Sequence, residues 1–224
     1  MIQRRWPSGR IVSLIMVATV AIGLLGVPAD AIQGDAQRIM YVHVPAAWLA
    51  YLAFFVTLLG GLGYLLRHDL RWDRLAVASA ELGLLFTGAT IVSGSIWGKV
   101  TWGVWWDWDP RLTTTAVMFL VYAGYILLRE SIVDRDRRAR LAAVLGIVAF
   151  INVPIVHLSV LWWRGLHQAP TVLNPGGPTI APIMLAALLA NLVAFTIAYA
   201  WLLRRRMALE AARDRLRIRL EEPA

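Results

Sequence analysis

Residues 45–66 have the sequence PAAWLAYLAFFVTLLGGLGYLL, which contains no charged side chain. About 20 helical residues cross the hydrocarbon core of a bilayer. The stretch lacks the polar–apolar alternation of a membrane β-strand, so it predicts a helix that satisfies its own backbone hydrogen bonds. Five further stretches share this character. The sequence therefore predicts an all-α polytopic membrane protein, a six-helix bundle with helices at about 11–28, 45–66, 75–96, 112–128, 141–162 and 182–203.

The composition agrees with a membrane protein. Hydrophobic residues make up 59% of the 224-residue chain and charged residues 16%, against about 25% charged in soluble domains. The mean hydropathy is +0.62. We treat residues 1–224 as a single domain, in which 204–224 form a cytoplasmic tail. Within it, the charge pattern of Met207–Leu220 predicts a solvated or membrane-surface helix.

The residue types that are missing restrict the chemistry. The chain has no cysteine, which excludes disulfides, thiolate metal sites and thiol catalysis. It contains no Walker motif, no Rossmann fingerprint and no His-Glu-x-x-His pattern. We therefore expect a binding protein that does not hydrolyse ATP, rather than an enzyme.

Basic residues alternate between the two sets of connections. Of the 22 lysines and arginines, eighteen, beginning with Arg4 and Arg5, fall in one set. The other set holds only Arg38, Lys99, Arg111 and Arg164. The positive-inside rule then places both termini in the cytoplasm. This orientation accounts for the net charge of +8 without nucleic-acid binding.

The first helix has a second interpretation. Arg4 and Arg5, the apolar run after them and Ala29-Asp30-Ala31 imitate a secretory signal peptide with its cleavage site. Cleavage would leave five helices and an N-terminus outside. We expect the helix to be retained.

Tryptophan is concentrated on the predicted outward side. Residues 97–108, WGKVTWGVWWDW, hold five of the eleven tryptophans, namely Trp97, Trp102, Trp105, Trp106 and Trp108. An interfacial aromatic belt accounts for one or two tryptophans at a helix end. Five in a predicted loop over 97–111 favour a surface for a flat conjugated ligand. Asp109 followed by Pro110 is a helix-start signal.

Three of the four histidines fall on the same side. His43 lies at the start of the second helix, His157 near the outward end of the fifth, and His167 in the loop 163–181. Imidazole is a common ligand of haem iron. Because His43 and His167 are predicted at similar depth, we interpret them as an axial pair. His157, predicted to be buried about one helical turn inside, would support them. His68 is predicted to be solvated.

Two kinds of charged residue remain. Arg38, Lys99, Arg111 and Arg164 are predicted partners for the carboxylates of such a ligand. Glu81 is the one acid predicted deep in a helix, where acids are costly. It could snorkel, be protonated or bind another subunit.

The motifs resemble those of a known family. Trp97-Gly98, Trp102-Gly103, Trp105-Trp106 and Trp108-Asp109, followed by Arg111-Leu112-Thr113, resemble the WWD signature of haem-handling membrane proteins. The likeness continues at residues 41–46 (YVHVPA), 152–157 (NVPIVH) and 162–168 (WWRGLHQ). Over about residues 30–203 the chain is similar to the cytochrome c maturation protein C family, also called haem exporter protein C.

This resemblance implies transient binding of haem b at the periplasmic face of the bacterial inner membrane. The implied axial ligands of the haem iron are His43 and His167, and the tryptophans with Asp109 would form the haem platform and the docking surface for a membrane-anchored haem chaperone. The chaperone would receive haem during c-type cytochrome biogenesis. Further implied partners are a small accessory membrane subunit, the ATPase and permease subunits of an ABC-type complex, and membrane lipid.

Two other functions stay open. A haem–cytochrome c ligase shares the WWD signature, but such ligases are larger. The permease subunit of an ABC exporter would have the tryptophans as a simple interfacial belt.

Overall fold

The computed structural model describes residues 8–168, 171–172, 174 and 176–221. Within these residues it is helical, with no β-structure beyond one isolated bridge between Asp30 and Gly34. The α-helices are α1 (Gly9–Ala21), α2 (Met40–Arg67), α3 (Leu70–Trp102), α4 (Pro110–Ser131), α5 (Arg135–Phe150), α6 (Asn152–Trp162) and α7 (Pro182–Glu221). A π-helical turn, Ile22–Gly26, extends α1, and a 3-10 turn, Asp35–Ile39, leads into α2. The predicted all-α class is confirmed.

Six helical segments of the described residues are long and apolar enough to cross a membrane. They are Gly9–Gly26, Asp35–Arg67, Leu70–Trp102, Pro110–Ser131, Arg135–Trp162 and Pro182–Leu216. Each overlaps one predicted span, so the chain is a multipass membrane protein. Arg4 and Arg5, on which the signal-peptide interpretation rests, lie outside the described residues.

We name the two ends of the bundle by their residues. The tryptophan end carries residues 97–111 and the 163–181 connection, and the basic end carries the α2–α3 and α4–α5 connections. Aspartates start helices at both ends. The side chains of Asp69, Asp109 and Asp134 accept hydrogen bonds from the first-turn N–H groups of α3, α4 and α5, which N-cap residues do.

The end of α3 differs from the prediction. We predicted a loop over 97–111, but α3 continues to Trp102 and stops at Gly103, whose φ of 81° lies in the left-handed region. Glycine adopts that conformation without steric cost and commonly ends helices. Trp97 and Trp102 are therefore helical, and the true connection is shorter.

The predicted fifth helix is in fact two helices. α5 ends at Phe150 and α6 begins at Asn152. Pro154 has no N–H to donate to the carbonyl of Phe150, four residues earlier, so the helix cannot run regularly through this point. The second piece, α6, carries His157.

The tail is helical but is not a free surface helix. α7 continues without interruption to Glu221, and its extension is bonded back to the bundle. Asp214 accepts hydrogen bonds from Arg74 at 3.1 Å and from Arg135 at 2.7 Å. Arg206 pairs with Glu81 of α3. None of the three predicted roles of Glu81 included this partner within its own chain.

One buried cluster of the bundle is formed by residues of α2, α3, α4, α5 and α6. Phe54 stacks on Tyr122 with ring centroids 3.5 Å apart and planes 12° from parallel. Gly60 allows α2 to approach Ala76 of α3, since a Cβ there would lie 2.8 Å from that residue. Small residues permit such close helix contacts in membranes. This packing holds α2 and α3 side by side.

Candidate functional site

A cavity of about 860 Å³ opens at the tryptophan end of the bundle. α2, α3 and α7 form most of its wall, and the first turns of α4 and the middle of α6 add to it. Trp106, His167 and Val172 line it from the connections. Most of its lining is apolar. The polar exceptions include His43, His157, His167, Trp106 and Arg111.

His43 is held by a hydrogen bond that fixes its tautomer. Its Nδ1 lies 3.1 Å from the hydroxyl of Ser93 on α3. That hydroxyl donates its own proton to the carbonyl of Ala89 at 2.7 Å, so it accepts from a protonated Nδ1. The lone pair of His43 is then on Nε2. Gly94 provides the room, because a Cβ there would lie 2.9 Å from the imidazole Cε1.

His167 is held in the same way by a carboxylate. Its Nδ1 lies 2.8 Å from Oδ2 of Asp109, which is only 6% exposed. The other oxygen, Oδ1, accepts from the N–H of Leu112 at 2.8 Å. Burial raises the pKa of Asp109, but the hydrogen bonds from His167 and Leu112 outweigh burial and leave the pKa below its usual value. An ionised carboxylate only accepts, so His167 donates from Nδ1 and keeps its lone pair on Nε2.

Two tryptophans of α3 support these imidazoles edge-on. The rings of Trp97 and His43 are 5.6 Å apart at 80°, and those of Trp102 and His167 are 4.9 Å apart at 70°. The indole N–H of Trp97 donates to Gln33 at 2.9 Å. The unexpected helical turns at the end of α3 thus place one tryptophan against each histidine.

The arrangement suits a ligand that carries its own metal better than a bare ion. In the described part of the chain, no three histidine, aspartate or glutamate side chains are close enough together to hold a metal ion. His43 and His167 nevertheless share one cavity, and their Nε2 atoms have no hydrogen-bond partner among the described residues. Metal-binding histidines commonly donate the other ring N–H to a carboxylate or another oxygen acceptor.

Comparison with known proteins identifies the family. The family model described as Heme exporter protein C matches residues 2–221. The chain belongs to this family. Heme exporter protein C of Bradyrhizobium diazoefficiens is 38% identical over 217 residues, which cover 94% of this chain and 82% of the relative. The protein of the same name from Escherichia coli (strain K12) is 39% identical over 184 residues, which cover 80% of this chain and 72% of the relative. A ccmC-like mitochondrial protein of Arabidopsis thaliana, named for cytochrome c biosynthesis, is 36% identical over 185 residues, covering 82% and 70%.

In this member of the Heme exporter protein C family, the five tryptophans do not form one surface. Trp97 and Trp102 contact the histidines, and Trp106 lines the cavity. Trp105 and Trp108 lie outside the cavity lining and are 59% and 75% exposed. The predicted platform is thus divided into a supporting part, a cavity part and an outward-facing part.

The structure brings one of the four predicted basic residues to the cavity. Arg111 lines it and donates from Nη2 to the carbonyl of His157 at 3.0 Å. Arg38 is bonded to Asp35 and to the carbonyl of Leu24. Lys99 donates to the carbonyl of Gly103, and Arg164 is exposed on the 163–181 connection.

Residues that the sequence did not single out complete the site. Ser93 and Gly94 hold and accommodate His43. Gly165 lets the last connection approach α4, because a Cβ there would lie 2.9 Å from Oδ2 of Asp109. The glycine in the 162–168 motif was a usable signal for a close approach, whereas Ser93 is one of many small residues in α3.

Proposed function

We propose that this protein binds haem b transiently at the periplasmic face of the bacterial inner membrane and presents it to a membrane-anchored haem chaperone during c-type cytochrome biogenesis. Membership of the Heme exporter protein C family supports a role in haem transfer, and the name of the Arabidopsis relative points to cytochrome c. One observation carries the proposal. Two imidazoles, each held through Nδ1, line the same apolar cavity with Nε2 unpartnered among the described residues.

The cavity has the size and the lining for haem. Ligand pockets usually enclose roughly 300–1,000 Å³ and are mostly apolar with a few placed polar groups, and the volume here is about 860 Å³. His43 and His167 would hold the iron as axial ligands. Asp109 and Ser93 would keep the lone pair of each ring on Nε2 and so make both rings ready to bind iron without rearrangement.

Two donors in the cavity lining suit the carboxylates of haem. Nε of Arg111 and Nε1 of Trp106 are buried and have no hydrogen-bond partner in the part of the chain that the structure describes. Leaving a buried donor unpaired costs about 1–3 kcal/mol, which an anionic ligand would recover. Arg111 is therefore the propionate partner that we favour over Arg38, Lys99 and Arg164.

The exposed tryptophans suit the transfer step. Trp105 and Trp108 present large aromatic surfaces outside the cavity, and such residues often anchor protein interfaces. We propose that they dock the chaperone beside the haem. The alternation of basic connections supports cytoplasmic termini, and the accessory subunit and the ABC-type ATPase and permease subunits remain the proposed partners.

The test measures haem binding and chaperone loading separately. Full-length protein co-produced with the chaperone should show a six-coordinate, low-spin haem spectrum with two imidazole ligands. His43→Ala and His167→Ala should each lose that spectrum and lower haem content by roughly tenfold or more. A variant with both Trp105→Ala and Trp108→Ala should keep the spectrum but fail to load the chaperone.

His68 offers a matched control. It lies at the basic end with φ 51°, and asparagine tolerates that backbone conformation, so His68→Asn should change neither readout. If His43→Ala and His167→Ala both leave haem content and loading at wild-type values, the ligand assignment is wrong. Normal loading by the double tryptophan variant would refute the docking surface alone.

A further inference from the structure

A third imidazole, that of His157, lines the same cavity and has no hydrogen-bond partner in the described part of the chain. His157 belongs to α6, inside the membrane-spanning segment Arg135–Trp162. Its side chain is exposed on the cavity wall, not buried as we predicted. Among the described residues neither ring nitrogen has a hydrogen bond, and the nearest ring contact is edge-on to Tyr51 at 6.1 Å and 87°.

An imidazole without a partner on a cavity wall inside a membrane span indicates a binding site for a ligand. A polar group that enters an apolar environment without a hydrogen bond loses free energy, and ionisable residues within membrane spans usually mark functional sites. The structural alternative, a histidine held in the core by neighbouring carbonyls or hydroxyls, does not fit His157.

His157 contacts a deeper part of the cavity wall than His43 does. Its neighbour Tyr51 lies eight residues after His43 on α2, which is about 12 Å along the helix axis. The cavity is long enough to include both levels, because its lining on α7 runs from Leu188 to Ile197, about 13 Å of helix. In agreement with this separation, the described residues contain no three histidine, aspartate or glutamate side chains that converge on one metal position.

We propose that His157 is a second, transient ligand of haem iron at the deep end of the cavity, occupied before haem reaches His43 and His167. The proposal rests on the proposed function, since it assumes that haem is the cargo. The step would break the one iron–imidazole bond to His157 and form two, to His43 and His167, the second filling the coordination position that is open in the five-coordinate form. Neither the oxidation state of the iron nor the number of protons on haem changes.

The free ring and its neighbour support a transient role. His43 and His167 are each fixed through Nδ1, whereas the imidazole of His157 can turn because neither nitrogen is held. Arg111 bonds to the carbonyl of His157 at 3.0 Å. The guanidinium of Arg111, which we propose as the partner of the haem carboxylates, therefore also lies next to His157. The carboxylates can stay paired with Arg111 while the iron moves from His157 to the outer histidines.

The equilibrium test removes the outer ligands and uses hemin as the probe. In full-length protein with His43→Ala and His167→Ala, we expect residual hemin binding with a five-coordinate, single-imidazole spectrum. Adding His157→Ala should remove that spectrum and weaken hemin binding by roughly tenfold or more. His157→Gln should do the same while keeping a polar side chain of similar size. His68→Asn, added to the same background, should have no effect.

The kinetic test leaves the outer ligands in place. With His157→Ala alone, we expect the bis-imidazole spectrum at equilibrium but hemin uptake from lipid vesicles slowed roughly tenfold. Hemin binding that is unchanged between the double and triple variants would overturn His157 as a ligand. Hemin uptake at the wild-type rate by His157→Ala would show that His157 does not bind the iron before His43 and His167 do. If the wild-type protein itself lacked the bis-imidazole spectrum, the proposed function would fail independently of His157.

Discussion

The two ends of the bundle differ in whether their polar side chains have partners within the chain. At the basic end the buried and half-buried carboxylates are paired with arginines of the chain. Arg129 donates two hydrogen bonds, of 2.6 and 2.9 Å, to the carboxylate of Asp73. Arg129 is only 8% exposed and Asp73 only 6%. Asp214 joins α7 to two further helices. At the tryptophan end, donors and imidazole nitrogens of the cavity wall stay without partners among the described residues.

This difference separates the residues that hold the fold from those that bind. At the basic end, the hydrogen bonds and the attraction within each ion pair offset the free energy that the charged groups lose on leaving water. Unpaired buried groups at the tryptophan end cost stability, and a ligand that pairs with them gains that free energy as affinity. Substitutions at the basic end should therefore change stability and leave haem affinity intact, and substitutions in the cavity should do the reverse.

The largest effect should come from breaking the buried pair. Asp73→Ala leaves Arg129 buried without its counter-charge, which typically costs about 3–5 kcal/mol. We expect a large fall in the thermal unfolding midpoint and in the yield of monodisperse protein in detergent. The protein that does fold should bind haem with wild-type affinity and spectrum.

A double variant distinguishes charge from packing. Asp73→Leu combined with Arg129→Met replaces the pair by apolar side chains, which is often neutral or stabilising, and should restore most of the unfolding midpoint. A wild-type midpoint for Asp73→Ala would show that the pair is not what holds α3 to α4 at this end.

Most of the fold could be predicted from the sequence because hydropathy is a local property. Six spans follow from runs of apolar residues, and the broken fifth span follows from Pro154, although we predicted it as one helix. The end of α3 was mispredicted because the tryptophan motif suggested a loop. Gly103, with its φ of 81°, was the local signal that would have ended the helix at Trp102.

The site could be predicted only in part because its contacts join distant residues. The sequence placed His43 and His167 on one side of the membrane. It could not show that Asp109 holds His167 from 58 residues away, or that Ser93 holds His43 from 50 residues away. The exposure that separates Trp105 from Trp106 also depends on how the helices surround the cavity.

The next effect in size concerns Asp109, whose two oxygens have two roles. In the variant Asp109→Asn, the new side chain would still accept the N–H of Leu112, since asparagine is a good N-cap. Its amide would donate to Nδ1 of His167, however, and move the ring proton to Nε2. We expect Asp109→Asn to weaken haem binding by about 10- to 100-fold with little change in the unfolding midpoint, measured by haem titration and thermal unfolding.

The variant Asp109→Ala provides the comparison. It loses both oxygens, so it should bind haem as weakly as the asparagine variant and also lose about 1 kcal/mol of stability from the missing cap. Wild-type haem binding by Asp109→Asn, with a normal unfolding midpoint, would contradict the idea that the carboxylate fixes the tautomer of His167.

The smallest effect should come from Ser93, which holds His43 through one neutral hydrogen bond. Such a bond contributes about 0.5–1.5 kcal/mol, so Ser93→Ala should weaken haem binding about twofold to tenfold, less than Asp109→Asn. Ser95→Ala is the matched control, because Ser95 also lines the cavity from α3 and has no hydrogen bond to a histidine among the described residues. Equal affinities of the two serine variants in a haem titration would mean that His43 is oriented by its packing against Trp97 and Gly94 alone. Weaker haem binding by Ser93→Ala than by Ser95→Ala would show that the Ser93 hydroxyl orients His43, as the Asp109 carboxylate orients His167, but with a smaller effect on affinity.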